Sequence, residues 1–248
     1  MTEPVRVLRP AWPVPARIQA ASTTRVGGTS RGDFAGLNLA VHVGDDPAAV
    51  GHNRALLREA LGLPAEPLWL SQVHGRNLVD AARAGEGTEA DASFTTTPGV
   101  VCAVMTADCL PVLFADLDGR QVAAAHAGWR GLAGGVLETT LARFEDPSRV
   151  IAWLGPAIGP RAFEVGDEVR AAFCEGQAEA VHCFRPARPG HWLADIYALA
   201  RLRLFAAGIG EVYGGGRCTY SEPEMFYSYR RSRRTGRMAS LIWIEEAI

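Results

Sequence analysis

Residues 100–114, VVCAVMTADCLPVLF, limit the folds open to this chain more than any other stretch. The segment is apolar almost throughout, yet Thr106, Asp108 and Pro111 interrupt it. Proline inside a sheet removes a ladder donor, so two buried strands joined at an irregular point suit these residues better than one continuous strand. Around them the pattern alternates between strand and helix. Residues 19–25 read as a strand running into the Gly- and Ser-rich loop 26–32. Residues 48–61 space their apolar side chains as a helix, with Asp46 as N-cap, Pro47 at the first helical position, and Gly62 and Pro64 closing it. Residues 68–73 have strand character and deliver His74 to a turn at Gly75. Residues 121–125 form a strand followed by HAGWRG and a helix through Phe144, and residues 150–154 form another strand. A helix begins over 166–173, an amphipathic helix covers 193–207, and a short strand covers 211–213. With no repeat, low-complexity tract, P-loop or dinucleotide fingerprint, this order predicts one α/β or α+β domain over residues 1–248.

The charge balance narrows the function classes. With 25 basic and 27 acidic side chains the formal charge is −2, which argues against a chain that coats nucleic acid or anionic membrane. All 25 basic residues are arginine, so lysine Schiff-base chemistry is excluded. The longest apolar stretch, residues 99–107, is far shorter than the roughly 20 residues of a membrane-spanning helix. The amino-terminal segment carries an acidic residue and several prolines and lacks the apolar centre of a signal peptide, so the expected location is the cytoplasm. In that compartment five cysteines at irregular spacing read as thiols. Cys102 and Cys174 are expected to be packed, Cys183 and Cys218 to be structural, and His52, His182 and His191 to lie on surfaces.

Three metal-ligand types each fall where an apolar strand meets a small-residue turn: His74 in SQVHG, Cys109 in TADCLP and His126 in AHAGWRG. Imidazole and thiolate suit zinc or copper, and three such ligands leave a fourth tetrahedral position for water or substrate. The same residues also suit a nucleophilic thiol at Cys109, with His126 or His74 as base and Asp108 as orienting carboxylate. Residue types alone do not separate these readings. Nearby groups suit an anion: Arg130 and the amides after His126 precede a helix, and Arg25, Arg54 and the run Arg230, Arg231, Arg233, Arg234 and Arg237 add charge. Such an arginine run equally suits a solvated turn between strands. His42, in the polar loop HVGDD, is a further candidate contact.

Eight segments, in order, resemble the YfiH-type proteins, a family known variously as laccase-domain polyphenol oxidases, cysteine-hydrolase-like proteins and purine nucleoside phosphorylases. They are TTRVGGTSRGDFAGLNLAVHVGDD, NRALL, LSQVHG, ADASFTTTPGV, TADCLPVLFAD, AAAHAGWRGLAGGV, LGPAIGPRAFEVGDEV and CTYSEPEMFYSYRRSRRTGR, and together they run from about Thr23 to the C-terminus. The resemblance implies two packed mixed sheets flanked by helices in α/β/β/α layers, and zinc on His74, Cys109 and His126, with copper as the other candidate metal. It also implies phosphorolysis of adenosine, inosine, guanosine and methylthioadenosine, with adenosine deamination beside it, in a monomer or homodimer. Purine nucleosides and inorganic phosphate are then the partners, with Arg25, His42, Arg54, Arg130 and Arg231 as candidate substrate contacts.

The laccase label is testable on residues. Six histidines with no His-x-His pair do not suit a multicopper cluster, although a single copper in the trio suits the ligands. Two other classes stand beside the phosphorylase: a Cys-His amidase editing a peptidoglycan precursor, and a non-catalytic binding protein indifferent to loss of Cys109.

Overall fold

The apolar segment divides between two sheets. In the computed structural model, which describes residues 3–246, Val101–Thr106 and Leu110–Asp116 are separate strands and residues 107–109 carry the chain from one sheet to the other. Residues 1–2 and 247–248, the ends of the expected 1–248 domain and of its amino-terminal segment, lie outside that description. In chain order the strands are β1 (Val7–Leu8), β2 (Ile18–Thr23), β3 (Leu78–Asp80), β4 (Ala92–Thr95), β5 (Val101–Thr106), β6 (Leu110–Asp116), β7 (Val122–Ala127), β8 (Val150–Leu154), β9 (Glu164–Gly166), β10 (Phe184–Pro186), β11 (His191–Ala194), β12 (Glu211–Gly214) and β13 (Met238–Ile244). The α-helices are α1 (Pro47–Leu61), α2 (Trp129–Gly134), α3 (Val136–Leu141), α4 (Asp167–Cys174) and α5 (Ile196–Ala206).

Strands β1-β2-β13-β5 form one sheet and β12-β8-β6-β7-β4-β3 a second, with β10-β11-β9 as a small third. Alternation along the strands sets the layers. On β5, Cys102 and Val104 point between the two large sheets, where they meet Leu113 and Ala115 of β6 and Ala124 of β7. The other face of β5, Val101, Ala103 and Met105, packs with Leu57 of α1. Leu110, Val112 and Phe114 of β6 face the opposite way, onto Leu132 of α2, Leu137 and Leu141 of α3 and Leu204 of α5. The fold is therefore α+β with the expected α/β/β/α layering.

The structure corrects several details. Only the six-stranded sheet is mixed, since β3–β4 and β8–β12 pair in parallel while every pairing in the four-stranded sheet is antiparallel. Residues 68–73 are not a strand: they make isolated bridges at Leu68 and Ser71, and the Gln72 side chain takes the place of backbone pairing by bonding both the amide and the carbonyl of Met105. The helix expected through Phe144 breaks at Gly135, whose φ of 96° is open to glycine at little cost. Leu193 and Ala194 belong to β11, and the Asp195 side chain caps the following helix by accepting from the Ala198 amide. Pro111 lies inside β6 rather than at its break.

Candidate active site

Cys109 sits at the crossing between the two large sheets. The turn before it is held by Asp108, which adopts φ 91° and accepts hydrogen bonds from the Thr219 hydroxyl (2.6 Å), the Ser228 hydroxyl (3.0 Å) and the Arg230 amide (2.6 Å). Asp108 thus pins the C-terminal loop and is not the carboxylate behind a histidine. His126 lies near the end of β7, opposite Pro111 of β6, and is buried. His74 comes from the irregular loop and is exposed, with φ 60°, a left-handed conformation that costs a non-glycine residue roughly 1–2 kcal/mol.

One residue holds both histidines. Asp91, fully buried immediately before β4, accepts at Oδ1 from the His74 amide (2.9 Å) and meets His126 Nδ1 at 2.8 Å. Its Oδ2 accepts from the amides of Gly75 (2.6 Å) and Val73 (3.2 Å). These bonds stabilise the strained turn at His74 and fix the His126 ring so that Nε2 is left for Cys109 and a ligand. Burial alone would raise the Asp91 pKa, but His126 and the amides outweigh it and hold the carboxyl below its ordinary value.

Around a tetrahedral ion with metal–sulfur and metal–nitrogen bonds of about 2.3 and 2.0 Å, ligand atoms lie roughly 3.6 Å apart. Cys109 Sγ and His74 Nε2 are 3.8 Å apart, and the ligand atoms of all three residues fall within 4.8 Å of one another. The trio therefore fits a metal ion, and Asp91 supplies the carboxylate partner that orients a metal-binding histidine. Space is reserved by Gly128, where a Cβ would stand 2.7 Å from the His74 ring and 3.1 Å from Cys109 Sγ. The electrostatics favour a thiolate. Burial opposes it, but the charge and hydrogen bond of His126, joined by His74, bring the Cys109 thiol down to about 6. Burial likewise works against a charge on His126, yet Cys109 and Asp91 together raise its pKa.

The trio lines a cleft of about 440 Å³ together with Trp129, Phe163, Tyr229 and Ile158. Of the expected substrate contacts only His42 lines it. Three of the other four guanidiniums are engaged by other protein groups, and the fourth, that of Arg130, lies over a cleft-wall ring. Arg25 bonds the carbonyls of Pro223 and Ala35 and covers the Tyr227 ring. Arg54 bonds Leu39 O, pairs with Glu86 at 2.8 Å and lies over Trp69. Arg231 spends its guanidinium on the carbonyls of Thr219, Tyr220 and Phe226, and Arg130 is exposed over Trp129. Two other members of the arginine run, Arg230 and Arg237, reach the cleft instead. Sequence reasoning gave no role to Asp91 or Gln72; an acidic residue opening the strand ADASF was the only trace of Asp91.

A family model described as multi-copper polyphenol oxidoreductase laccase matches residues 19–245. A purine nucleoside phosphorylase of Pseudomonas aeruginosa is 56% identical over 241 residues, covering 96% of this chain and 98% of the relative. The Escherichia coli purine nucleoside phosphorylase YfiH is 54% identical, covering 96% and 99%. Among solved structures, a Neisseria meningitidis protein superposes with a TM-score of 0.93 at 53% identity, over 97% of this chain and 99% of that one. YlmD from Geobacillus stearothermophilus gives 0.92 at 35% identity, over 97% and 96%.

Proposed function

The chain belongs to the multi-copper polyphenol oxidoreductase laccase family, and from that premise we propose that it is a zinc-dependent purine nucleoside phosphorylase with adenosine deaminase activity. The observation that carries this reading is the convergence of His74, Cys109 and His126 in an aromatic-walled cleft whose volume suits a nucleoside. The names of the relatives point the same way. A multicopper oxidase is disfavoured, because the trio is the only group of three or more clustered ligands among the described residues.

In phosphorolysis a phosphate oxygen bonds to C1′ of the ribose as the C1′–N9 bond breaks, and the electron pair leaves with the purine. Positive charge builds on the sugar and negative charge on the base, so the site gains most by stabilising those charges where they form. Bound zinc, held by His74, Cys109 and His126, would supply Lewis acidity at the electron-rich end of the substrate. The protein's own part is positional. Trp129, Phe163 and Tyr229 offer flat apolar surface for base and sugar, Asp91 keeps His126 in one orientation, and Gly128 leaves room beside the ligands. Deamination exchanges the C6 amino group of adenosine for the oxygen of a water and releases ammonia. Adenosine, inosine, guanosine and methylthioadenosine all fit this reading, with the chain working in the cytoplasm as a monomer or homodimer.

One geometric observation favours a second reading. Cys109, His126 and Asp91 are arranged as thiol, imidazole and carboxylate, with the thiol pKa lowered, as a cysteine amidase acting on a peptidoglycan precursor requires. Chromatography of adenosine incubated with zinc-loaded protein, with and without phosphate and beside Cys109→Ala, separates the two. Phosphorolysis predicts adenine only with phosphate, deamination predicts inosine without it, and both vanish in the variant. No product from the loaded protein overturns the nucleoside reading and leaves the amidase to be tested.

A further inference from the structure

We propose that Arg237 and Arg230, with the His42 ring, form the oxyanion-binding wall of the cleft, and that inorganic phosphate sits against them. The identity of the anion rests on the phosphorylase reading; the wall itself rests on how these side chains are held and on what they lack.

Arg237 immediately precedes β13 and its backbone is fixed on both sides. Its amide donates to Oδ1 of the buried Asn38 at 2.9 Å, and Gly236 behind it packs so tightly that a Cβ would stand 2.7 Å from the Tyr227 ring. The guanidinium donates through Nη1 alone, to the carbonyls of Thr235 (2.9 Å) and Gly236 (3.1 Å). Among the described residues Nε and Nη2 have no protein acceptor and Arg237 forms no ion pair. Other half-buried arginines have an acidic partner, as Arg203 with Glu138 at 2.6 Å and Arg54 with Glu86 at 2.8 Å, or give both terminal nitrogens to backbone carbonyls, as Arg201 and Arg231 do. Withdrawing a guanidinium from water without a directly bonded counter-charge is unfavourable, and burial holds Arg237 below the ordinary arginine range even though Cys109, Asp108 and Tyr229 act the other way.

Arg230 lines the same cleft. Its amide is tied to Asp108 at 2.6 Å and its Nη1 to Glu164 O at 2.9 Å, again with no ion pair among the described residues. The carboxylate lining this cleft, that of Asp108, is engaged by two hydroxyls and an amide, all neutral donors, and so forms no direct pair with either guanidinium. His42, set on the same wall, is held below its usual pKa by desolvation and by Arg237 and Arg54, so at pH 7 it presents a neutral ring able to donate one N–H. The wall therefore offers unpaired guanidinium donors, the planar fork that suits tetrahedral oxyanions, in the same cleft as the metal-ligand trio. An anion placed there shares the cleft with whatever the trio binds.

Titration calorimetry with inorganic phosphate tests this on zinc-loaded protein, alone and with adenosine present. Arg237→Met is expected to weaken phosphate binding at least tenfold and to raise the phosphate KM by a similar factor, with the adenosine KM moving less than twofold. Arg237→Lys, which keeps the charge and loses the fork, should lie between the two, and thermal melts identify any variant that fails to fold. Arg83→Met, on the surface outside the cleft, should leave both constants unchanged. Wild-type phosphate binding that persists unaltered in Arg237→Met, Arg237→Lys and Arg230→Met overturns the wall, as does a wild type that binds no phosphate. If phosphate binds at the wall and no adenine forms, the phosphorylase reading fails and the anion site stands. If adenine forms and the variants keep the wild-type phosphate KM, the reverse holds.

Discussion

Replacing Asp91 by Asn removes one charge and alters one atom, and the consequence follows from the four donors around the carboxylate. Oδ1 meets the His74 amide and His126 Nδ1, while Oδ2 meets the amides of Val73 and Gly75. An amide NH2 cannot accept, so either orientation of the Asn side chain turns a donor toward two donors and forfeits two bonds. Hydrogen bonds to charged groups are worth about 1.5–3 kcal/mol each, so losing two costs about 3–6 kcal/mol. For a chain of this size that corresponds to a fall in melting temperature of roughly 6–24 °C. The His74 turn and the His126 ring lose their common anchor, and removal of such a partner typically weakens metal binding about 10–100-fold. Melting of metal-free protein and zinc competition against a chromophoric chelator read the two effects separately. Because the folded Asp91 carboxyl lies below its unfolded value, its stabilising contribution is full above about pH 4 and fades as pH falls through the folded pKa. The gap between wild type and variant should therefore narrow in acid. A variant that melts with the wild type at neutral pH and holds zinc as tightly would refute the claim that Asp91 anchors both histidines.

Three further outcomes follow from the geometry. Gly128→Ala adds a methyl 2.7 Å from the His74 ring at a φ of −62°, which alanine adopts freely, so the strain is purely spatial; overpacking of about 1–3 kcal/mol should appear with loss of zinc measured by elemental analysis, and unchanged metal content contradicts it. After chelation, alkylation of Cys109 by iodoacetamide, followed by peptide mass spectrometry, should reach half its maximal rate near pH 6, whereas Cys102, fully buried and pushed up to about 12, should not react; a Cys109 midpoint above pH 8 contradicts the proposed thiolate pairing. Phe114→Ala, in the core between the six-stranded sheet and its helices, should cost about 3–5 kcal/mol in denaturant melts while leaving zinc affinity intact.

Much of this arrangement could be read in the chain because it depends on local chemistry. The Asp46 cap, the Gly62 stop and the strand Val150–Leu154 stand where residue types put them. Cys109 and His126 do meet at strand ends, since a buried strand that stops at polar or small residues delivers its last side chains to an edge. What escaped depends on long-range register. Asp91 lies 17 residues from His74 and 35 from His126, so its fourfold role appears only once β4 is laid beside β7. The third sheet rests on strands of three or four residues, too short to carry a periodic signal. The arginine run could not say which of its members would face the cleft for a related reason: adjacent guanidiniums diverge, Arg231 into backbone carbonyls and Arg230 into the cleft.

Phosphorus NMR of inosine and inorganic phosphate incubated with zinc-loaded protein tests the central claim most directly. Phosphorolysis at this cleft predicts a ribose 1-phosphate signal that grows in step with free hypoxanthine and with loss of phosphate, and that is absent with Cys109→Ala. Hypoxanthine accompanied by free ribose and undiminished phosphate, or inosine left intact by fully loaded protein, would contradict it.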